Sequence, residues 1–260
     1  MSKKQSTATK RANAQRAAER AAALRKQHEA KERRRRTLTM SLLVIGALAL
    51  IVAIVAAVQA ARDTTGETAT PPQGAVDSYA LPLGPDSAPV TVEIYEDFLC
   101  PFCGQFESLS TDMLKQYAEA GDVQVQYRMI SILDDASSGT EYSTRAMNAV
   151  GVVLDEAGPE VAVRFHDLLF ANQPAEGSEG LSDEELVDLA VEAGAEESAV
   201  RPGIESLAYE QWVKNATDQA SKDGVAGTPT VVVDGEQVEG NSMQDLAENT
   251  EQAITDALGE

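Results

Sequence analysis

Residues 95–107 read YEDFLCPFCGQFE and contain both cysteines of the 260-residue chain. Cys100 and Cys103 stand three positions apart, and Pro101 follows the first of them directly. Proline suits the first position of a helix, where its missing N–H would have no partner, so we expect Cys100 to be the N-cap. Cys103 then lies on the same helix face one turn further on, near enough for a disulfide.

The two sulfurs are expected to differ in acidity. An N-cap side chain faces the free backbone N–H groups of the first helical turn, and the helix dipole adds partial positive charge there. Both effects favour a thiolate over a thiol. Cys100 is therefore the candidate nucleophile and Cys103 the resolving partner.

Three other interpretations of the cysteine pair are weaker. A structural disulfide that closes so short a loop would contribute little on the loop-entropy model. A zinc site needs about four ligands, and after residue 62 only His166, interpreted as an ordinary helix residue, could join the thiols. Two unrelated reduced thiols conflict with an oxidising exterior. We predict a redox-active Cys100–Cys103 pair, with no metal and no separate cofactor.

The residues around the pair alternate between strand and helix patterns. Apolar residues alternate over residues 90–94, recur at helical spacing over residues 106–117, and alternate again over residues 123–129. Gly121 stands where a glycine would end the helix. A strand, a helix and a strand of these lengths are typical of a βαβ unit.

After residue 136 the sequence first shows helical patterns and then strand patterns. Residues 137–223 are predicted as a helical insert, which includes a capping box that begins at Ser182. Residues 230–233 read as a strand, and Asp234-Gly235 predicts the turn to a short partner strand. Residues 242–258 are predicted as a closing helix.

The two ends of the chain have opposite charge. Residues 1–36 hold 13 Lys and Arg and three acidic residues, whereas the remaining residues hold eight basic and 39 acidic ones. Nucleic acid is not expected as a partner, because nothing in the sequence beyond the net positive charge of residues 1–36 supports it. The basic segment is predicted to be a cytoplasmic arm that can meet anionic lipid.

Residues 37–61 carry no charge and are long enough to span the hydrocarbon core of a bilayer. The four arginines just before them place the N-terminus in the cytoplasm by the positive-inside rule. We therefore predict a single-pass transmembrane anchor in the cell membrane, with the C-terminal domain outside. A cleavable signal peptide that ends near residues 58–60 is the alternative, and it exports the same domain.

Residues 62–87 are rich in Thr, Gly, Pro and Ala and show no sustained period. They are predicted to be a flexible linker. The globular domain is then expected over residues 88–260.

These features together resemble the DsbA-type thiol:disulfide oxidoreductases, which have a thioredoxin fold. The resemblance rests on the sequence CPFC after a strand, on the helical insert, and on the sequence GTPT at residues 227–230 before a strand and hairpin. It covers residues 88–260 and is strongest for membrane-anchored forms from Gram-positive bacteria. It implies an α/β, thioredoxin-like fold with an inserted helical subdomain, preceded by a single transmembrane helix. It also implies that Thr228 and Pro229 form a cis-proline loop that binds substrate beside the dithiol.

The activity that the resemblance implies is that of an extracytoplasmic oxidase, which introduces disulfides into exported proteins. Its partners would be unfolded exported proteins with free thiols and a membrane redox partner, for example a quinone-linked one, that reoxidises the pair. A disulfide reductase, an isomerase and a non-catalytic redox-sensing or binding module are the alternatives. Pro101 and Phe102 would support the site from the start of the helix.

The sequence departs from the family pattern at two places. Ile94 stands six residues before the first cysteine, where members of the wider fold often carry a buried acid, and Glu93, Glu96 and Asp97 lie nearby. Proton handling is therefore not assigned to one residue. Phe102 stands between the cysteines where the best-known pattern has histidine, so no imidazole is available there to stabilise the thiolate.

Overall fold

The computed structural model describes residues 68–259. The predicted cytoplasmic arm and transmembrane anchor lie outside these residues. Within them, no helix is both long enough and apolar enough to cross a membrane. The regular elements, in chain order, are β1 (Leu81–Leu83), β2 (Val90–Glu96), α1 (Pro101–Ala120), β3 (Val123–Met129), a 3-10 turn (Asp134–Ala136), α2 (Tyr142–Ala157), α3 (Pro159–Ala171), α4 (Asp183–Ala193), α5 (Glu197–Glu205), α6 (Glu210–Lys222), β4 (Thr230–Val233), β5 (Glu236–Val238) and α7 (Met243–Leu258).

The strands form one mixed sheet in the order β1-β3-β2-β4-β5. The central strand β2 pairs in parallel with β3, from Val90 opposite Val123 to Glu96 opposite Met129. It pairs antiparallel with β4 on its other side. Helix α1 makes the crossover that a parallel pair requires. The carboxyl end of β2 therefore lies at the centre of the sheet, directly before the two cysteines.

Helix α1 begins and ends where the sequence predicts. Cys100 is its N-cap and Pro101 is its first residue. Gly121 ends it with φ 81° and ψ 13°, a left-handed conformation that glycine adopts without a Cβ clash. Phe106 and Leu114 on its inner face are fully buried in the core. Their burial holds the helix against the sheet and so fixes the place of its N-terminal end.

Helices α2 to α6 lie between β3 and β4, as predicted for the insert. Helix α2 is its centre and packs against α3, α5 and α6. The predicted capping box is present at the start of α4, where the Ser182 hydroxyl accepts a hydrogen bond from the Glu185 N–H and the Glu185 carboxylate accepts one from the Ser182 N–H. The helical pattern of the sequence is therefore realised as a packed group of helices and not as one long helix.

The structure corrects the linker prediction for residues 62–87. Leu81–Leu83 form strand β1, which pairs with β3 at the edge of the sheet. Ala80 is fully buried, and the Trp212 indole N–H donates to the Ser78 carbonyl at 2.7 Å. A strand of three residues with proline at its centre and glycine directly after it is too short to show an alternating pattern. The folded region therefore begins before residue 88.

The C-terminal hairpin and helix agree with the sequence pattern. Asp234 and Gly235 both have positive φ, 47° and 84°, as the mirror-image turns of tight hairpins require. Ser242 caps α7 by accepting a hydrogen bond from the Asp245 N–H. Leu246 belongs to the buried face that joins α7 to the core.

Candidate active site

The two cysteines lie at the carboxyl end of the central strand, and both are free thiols in this structure. Cys100 is 5% exposed and Cys103 is 1% exposed. The loop before β4 meets them there, because the Thr228 carbonyl oxygen accepts a hydrogen bond from the Cys100 thiol at 3.4 Å. The Thr228-Pro229 peptide bond is cis. The fold therefore brings together four residues that the sequence analysis selected, although 128 positions separate Cys100 from Thr228.

The pKa of the Cys100 thiol is lowered from its ordinary value of 9.0 to about 6. The Cys103 thiol is the largest cause, because it donates a hydrogen bond to the ionised Cys100 sulfur. Burial acts in the opposite direction. The Thr228 side chain and the backbone N–H groups of Cys103 and Phe102 lower the pKa further. Cys100 therefore favours the thiolate at neutral pH.

The sequence analysis predicted that the pKa of Cys100 would be lowered, but it attributed the effect to the N-terminal end of the helix. In the structure Cys100 is the N-cap, yet its side chain makes no capping hydrogen bond. The Cys103 N–H donates instead to the Cys100 carbonyl oxygen at 3.0 Å. The neighbouring thiol and not the helix end thus contributes most to the acidity of Cys100.

The pKa of the Cys103 thiol is shifted in the opposite direction. Its pKa is raised well above 9.0, first by burial and then by the hydrogen bond to Cys100 and the negative charge of that sulfur. The Glu96 carboxylate raises it as well. Two sulfurs one helical turn apart therefore differ strongly in acidity, as a nucleophile and a resolving partner should.

The two residues between the cysteines are on the surface. Pro101 is exposed, and the Phe102 side chain is 60% exposed beside the dithiol. Phe102 is thus available to a bound molecule and adds little to the core. The roles predicted for Pro101 and Phe102 stay predictions.

Gln173, just after α3, was not identified from the sequence. Its amide donates to the Cys100 carbonyl at 2.9 Å and to the Phe98 carbonyl at 3.1 Å. A Cβ on Gly104 would lie 2.3 Å from the Gln173 Oε1, so a larger residue here would displace the amide from its present position. The helical insert therefore holds the start of α1 through this side chain.

Asp97 fixes the loop between β2 and the cysteines. Its buried carboxylate accepts hydrogen bonds from the N–H groups of Leu99, Ile132 and Leu133 at 2.9 to 3.0 Å and from the Ser143 hydroxyl at 2.6 Å. Burial raises its pKa to about 6, and the hydrogen bonds to the carboxylate limit the rise. Asp97 therefore links the loop to α2 and to the segment after β3.

A buried charged cluster lies beneath the dithiol, formed by Glu96, Glu107 and His166. The His166 Nε2 lies 2.5 Å from a Glu96 carboxylate oxygen. The sequence analysis interpreted His166 as an ordinary helix residue, and the structure corrects this, since its ring is fully buried. The aromatic rings of Phe98 and Tyr127 pack against it. His166 shares the buried face of α3 with Phe165 and Leu169, and its apolar neighbours were the available signal.

The members of this cluster shift each other's pKa. Burial is the largest single influence on the pKa of His166 and would lower it, but the Glu96, Asp167 and Glu107 carboxylates together outweigh burial and raise the value to about 10. Burial and the Glu96 charge raise the pKa of Glu107 to about 7. The cluster therefore holds a cationic imidazole, and the Glu107 carboxyl group gains or loses its proton near neutral pH.

The same three residues have the composition of a metal site. One ligand atom from each lies within 4.8 Å of the others. Within this group, the His166 Nε2 is in direct contact with a Glu96 carboxylate oxygen. The sequence-based expectation of no metal stays a prediction.

A model of the thioredoxin family matches residues 78–252. The chain belongs to the thioredoxin family. Among solved structures, this family member is similar to the reduced form of the disulfide bond oxidoreductase DsbG from Mycobacterium tuberculosis, with a TM-score of 0.61 and 31% identity over 72% of this chain and 90% of that one. DsbA from the same organism, also reduced, gives a TM-score of 0.59 and 31% identity over 70% of this chain and 93% of that one.

Curated relatives of this thioredoxin-family chain are more varied. It is 31% identical over 156 residues to the serine/threonine-protein kinase PknE of Mycobacterium tuberculosis H37Rv, which is 57% of this chain and 27% of the kinase. It therefore spans little more than a quarter of that relative. It is 25% identical over 170 residues to disulfide bond formation protein D of Bacillus subtilis, which is 65% of this chain and 73% of that protein. The α/β thioredoxin-like fold is thus confirmed, and the relatives matched over most of their length are disulfide-handling oxidoreductases.

Proposed function

We propose that this chain is an extracytoplasmic thiol:disulfide oxidoreductase that works as an oxidase on exported proteins. The observation that carries the proposal is the difference in acidity between Cys100 and Cys103. A lowered thiol pKa stabilises the reduced state, because the thiolate is favoured once the disulfide opens. A dithiol whose reduced state is stabilised gives a more oxidising disulfide.

In the proposed reaction, a substrate thiolate attacks Cys100 Sγ of the Cys100–Cys103 disulfide. A mixed disulfide forms, the bond between the cysteines breaks, and its electron pair goes to Cys103, which takes up a proton. A second substrate thiolate then attacks the substrate sulfur and displaces Cys100 as a thiolate. Two substrate thiols are oxidised to one disulfide, and the enzyme disulfide is reduced to the dithiol.

Thr228 and Pro229 are proposed to hold the substrate during this exchange. The Thr228 carbonyl already contacts the Cys100 sulfur, and an extended substrate can pair with backbone groups of such a loop in the manner of an added strand. Pro229 carries no N–H that would compete for that sulfur. The exposed Phe102 ring beside them offers apolar surface to an unfolded chain.

The location and partners are part of the proposal. The uncharged segment at residues 37–61 supports a membrane anchor with the domain outside. An enzyme that is reduced in each cycle needs an electron acceptor, and a membrane redox partner, for example one linked to quinone, would fill this role. No cofactor beyond the cysteine pair is proposed.

The direction of the reaction is tested with three matched proteins: the full-length chain in detergent, Cys100→Ser and Cys103→Ser. The oxidised chain should convert a reduced, unfolded two-cysteine substrate to its disulfide, and Cys103→Ser should accumulate mixed disulfides while Cys100→Ser does not. A reduction potential near that of cytosolic thioredoxin, about −270 mV, together with rapid insulin reduction, would favour a reductase. A chain that exchanges with neither substrate would be a binding or sensing module, and the proposal would be wrong.

A further inference from the structure

Gln173 follows α3 of the insert, and its side-chain amide reaches the segment that carries the first cysteine. The amide nitrogen donates to the Phe98 carbonyl at 3.1 Å and to the Cys100 carbonyl at 2.9 Å. A side-chain amide has two N–H donors on one nitrogen, so a single residue can hold both carbonyl groups. Gln173 thus closes the turn that leads into α1.

The backbone of Gln173 is itself held in place. Its N–H donates to the Phe170 carbonyl at 3.2 Å, just beyond the end of α3. The Phe170 ring packs on the Phe98 ring, with 5.0 Å between the ring centres. The insert therefore presents the amide to the turn from a fixed position.

The Cys100 carbonyl oxygen is a place where a small change reaches both sulfurs. It also accepts the first hydrogen bonds of α1, from the Cys103 N–H at 3.0 Å and from the Gly104 N–H at 3.2 Å. Its position therefore affects where Cys103 stands relative to Cys100. Because the Cys103 thiol is the main cause of the lowered pKa of Cys100, a displaced carbonyl group would weaken that effect.

The amide also acts on the charge of the Cys100 sulfur. A carbonyl oxygen carries partial negative charge, and this oxygen belongs to the same residue as the sulfur. A thiolate is repelled by that partial charge, whereas an uncharged disulfide sulfur is not. The Gln173 amide hydrogens carry partial positive charge and offset the repulsion, since hydrogen-bonded groups polarise one another. Loss of the amide should therefore destabilise the reduced, ionised site more than the oxidised one.

We propose that Gln173 is a positioning residue for disulfide exchange, which stabilises the reduced dithiol relative to the disulfide by holding the Phe98 and Cys100 carbonyl groups. The inference rests on the proposed function and deepens it, because a stabilised dithiol makes the disulfide a stronger oxidant. In the exchange with glutathione, two glutathione thiols become one disulfide and the Cys100–Cys103 disulfide becomes two thiols. The position of this equilibrium measures the effect of the amide directly.

Gly104 offers a second, independent way to remove the amide. A Cβ there would lie 2.3 Å from the Gln173 Oε1, and the three nearest atoms outside its own helix backbone all belong to the Gln173 side chain. Gly104→Ala should therefore displace the amide without a change at residue 173. When residue 173 is alanine, those three atoms are absent, and Gly104→Ala should change nothing further at the site. The two positions thus form a double-mutant cycle.

The test uses the full-length chain in detergent with Gln173→Ala, Gly104→Ala and the double variant. Asn172→Ala is the matched control, because that neighbouring amide donates to the Leu168 carbonyl of α3 instead. Each protein is equilibrated with reduced and oxidised glutathione at pH 7, and the fraction of disulfide is measured. The ionisation of Cys100 is followed by thiolate absorbance, and both redox forms are unfolded by denaturant.

We expect Gln173→Ala to move the equilibrium toward the disulfide about three- to tenfold, the size of the effect of a single hydrogen bond. Gly104→Ala should do the same, the double variant should equal Gln173→Ala alone, and Asn172→Ala should match the native chain. The pKa of Cys100 should rise in the first three proteins. If the alanine variant fails to fold, Gln173→Met keeps the length of the side chain without its amide, and the same shift is expected.

An unchanged equilibrium in Gln173→Ala, with both redox forms destabilised equally, would show that the amide serves the fold alone and would overturn the proposal. Additive shifts in the double variant would also contradict it, because two changes that remove the same contact cannot each have a separate effect.

Glutathione is a small thiol, so this equilibrium needs no protein substrate. If Gln173→Ala shifts the equilibrium while the native chain oxidises no unfolded protein, the positioning role stands and the proposed oxidase function fails. If the native chain oxidises proteins and no variant shifts the equilibrium, only the positioning role fails.

Discussion

The sheet half of the molecule and the helical insert contribute different things to one site. The sheet half, made of the five strands with α1 and α7, carries both sulfurs and the Thr228 loop. The insert, α2 to α6, carries His166 and Ser143, and Gln173 follows its second helix. The reacting atoms thus belong to the sheet half, while the insert supplies groups that hold the start of α1 and the loop before it in place.

The strongest test of this division removes the imidazole that the insert buries. His166→Leu would leave the Glu96 charge buried without its partner. Breaking a buried ion pair from one side costs about 3 to 5 kcal/mol, and we expect that loss in the free energy of unfolding by denaturant. Glu96→Gln/His166→Gln should lose much less, because no unpaired charge remains. Equal losses in the two variants would show that the pairing of charges does not decide the stability here.

A smaller effect is expected at the link between α2 and the loop of Asp97. Ser143→Ala removes a 2.6 Å hydrogen bond to a buried carboxylate. Hydrogen bonds to charged groups contribute about 1.5 to 3 kcal/mol, so stability should fall by this amount. The pKa of Asp97 should also rise above 6, because one of the hydrogen bonds that favour its ionised form is lost. Both are measurable, by chemical denaturation and by NMR titration of the carboxyl carbon.

The third prediction concerns how stability depends on pH through Cys100, a residue of the sheet half. Folding lowers the pKa of Cys100 from 9.0 to about 6, so the stability of the reduced form should rise with pH between these values and be lost as pH falls through 6. At pH 7 the gain over pH 5 is about 1.4 kcal/mol, since one pKa unit corresponds to 1.36 kcal/mol. The oxidised form has no thiol to titrate and should lack this gain.

Shifted groups such as Asp97 and Glu107 titrate in both redox forms. The difference between the unfolding curves of reduced and oxidised protein therefore reports on Cys100. Cys100→Ser cannot form the disulfide and has no Cys100 thiol, so its stability should follow the pH dependence of the oxidised form between pH 6 and 9. If the difference in stability between the reduced and oxidised forms stayed constant between pH 6 and 9, the lowered pKa of Cys100 would be contradicted.

The smallest effect on stability is expected at Phe102. Its exposed side chain contributes little to packing, and surface substitutions usually stay within about 0.5 kcal/mol. Phe102→Ala should unfold like the native chain but oxidise an unfolded substrate with a higher KM. An unchanged KM would remove Phe102 from the proposed substrate surface.

Local sequence patterns were sufficient for much of the sheet half. The helix start at Pro101, its end at Gly121 and the turn at Asp234-Gly235 depend on the conformations that single residue types allow, so they could be predicted. The proximity of Cys100 and Cys103 also follows from their spacing at the start of one helix. Strand β1 was missed because three residues with proline at their centre and glycine directly after them carry no recognisable period.

The contribution of the insert could not be predicted in the same way. The contact between Glu96 and His166 joins residues 70 positions apart, and that from Gln173 to Cys100 joins residues 73 apart. Such contacts depend on how α3 packs on the sheet, and no local pattern encodes that packing. A histidine on an apolar helix stripe was a signal, but its partner could not be named. Likewise, the sequence predicted that the pKa of Cys100 would be lowered. Only the structure shows that the Cys103 thiol is the main cause.

The most direct test of the account is the titration of the Cys100 thiolate by its ultraviolet absorbance in the reduced chain, with Cys100→Ser as the blank. We expect an apparent pKa of about 6. In Cys103→Ala no side chain donates a hydrogen bond to the thiolate from this position, so the pKa of Cys100 should rise. A native value near 9, the ordinary value for a thiol, would contradict the central claim that Cys100 is an activated nucleophile.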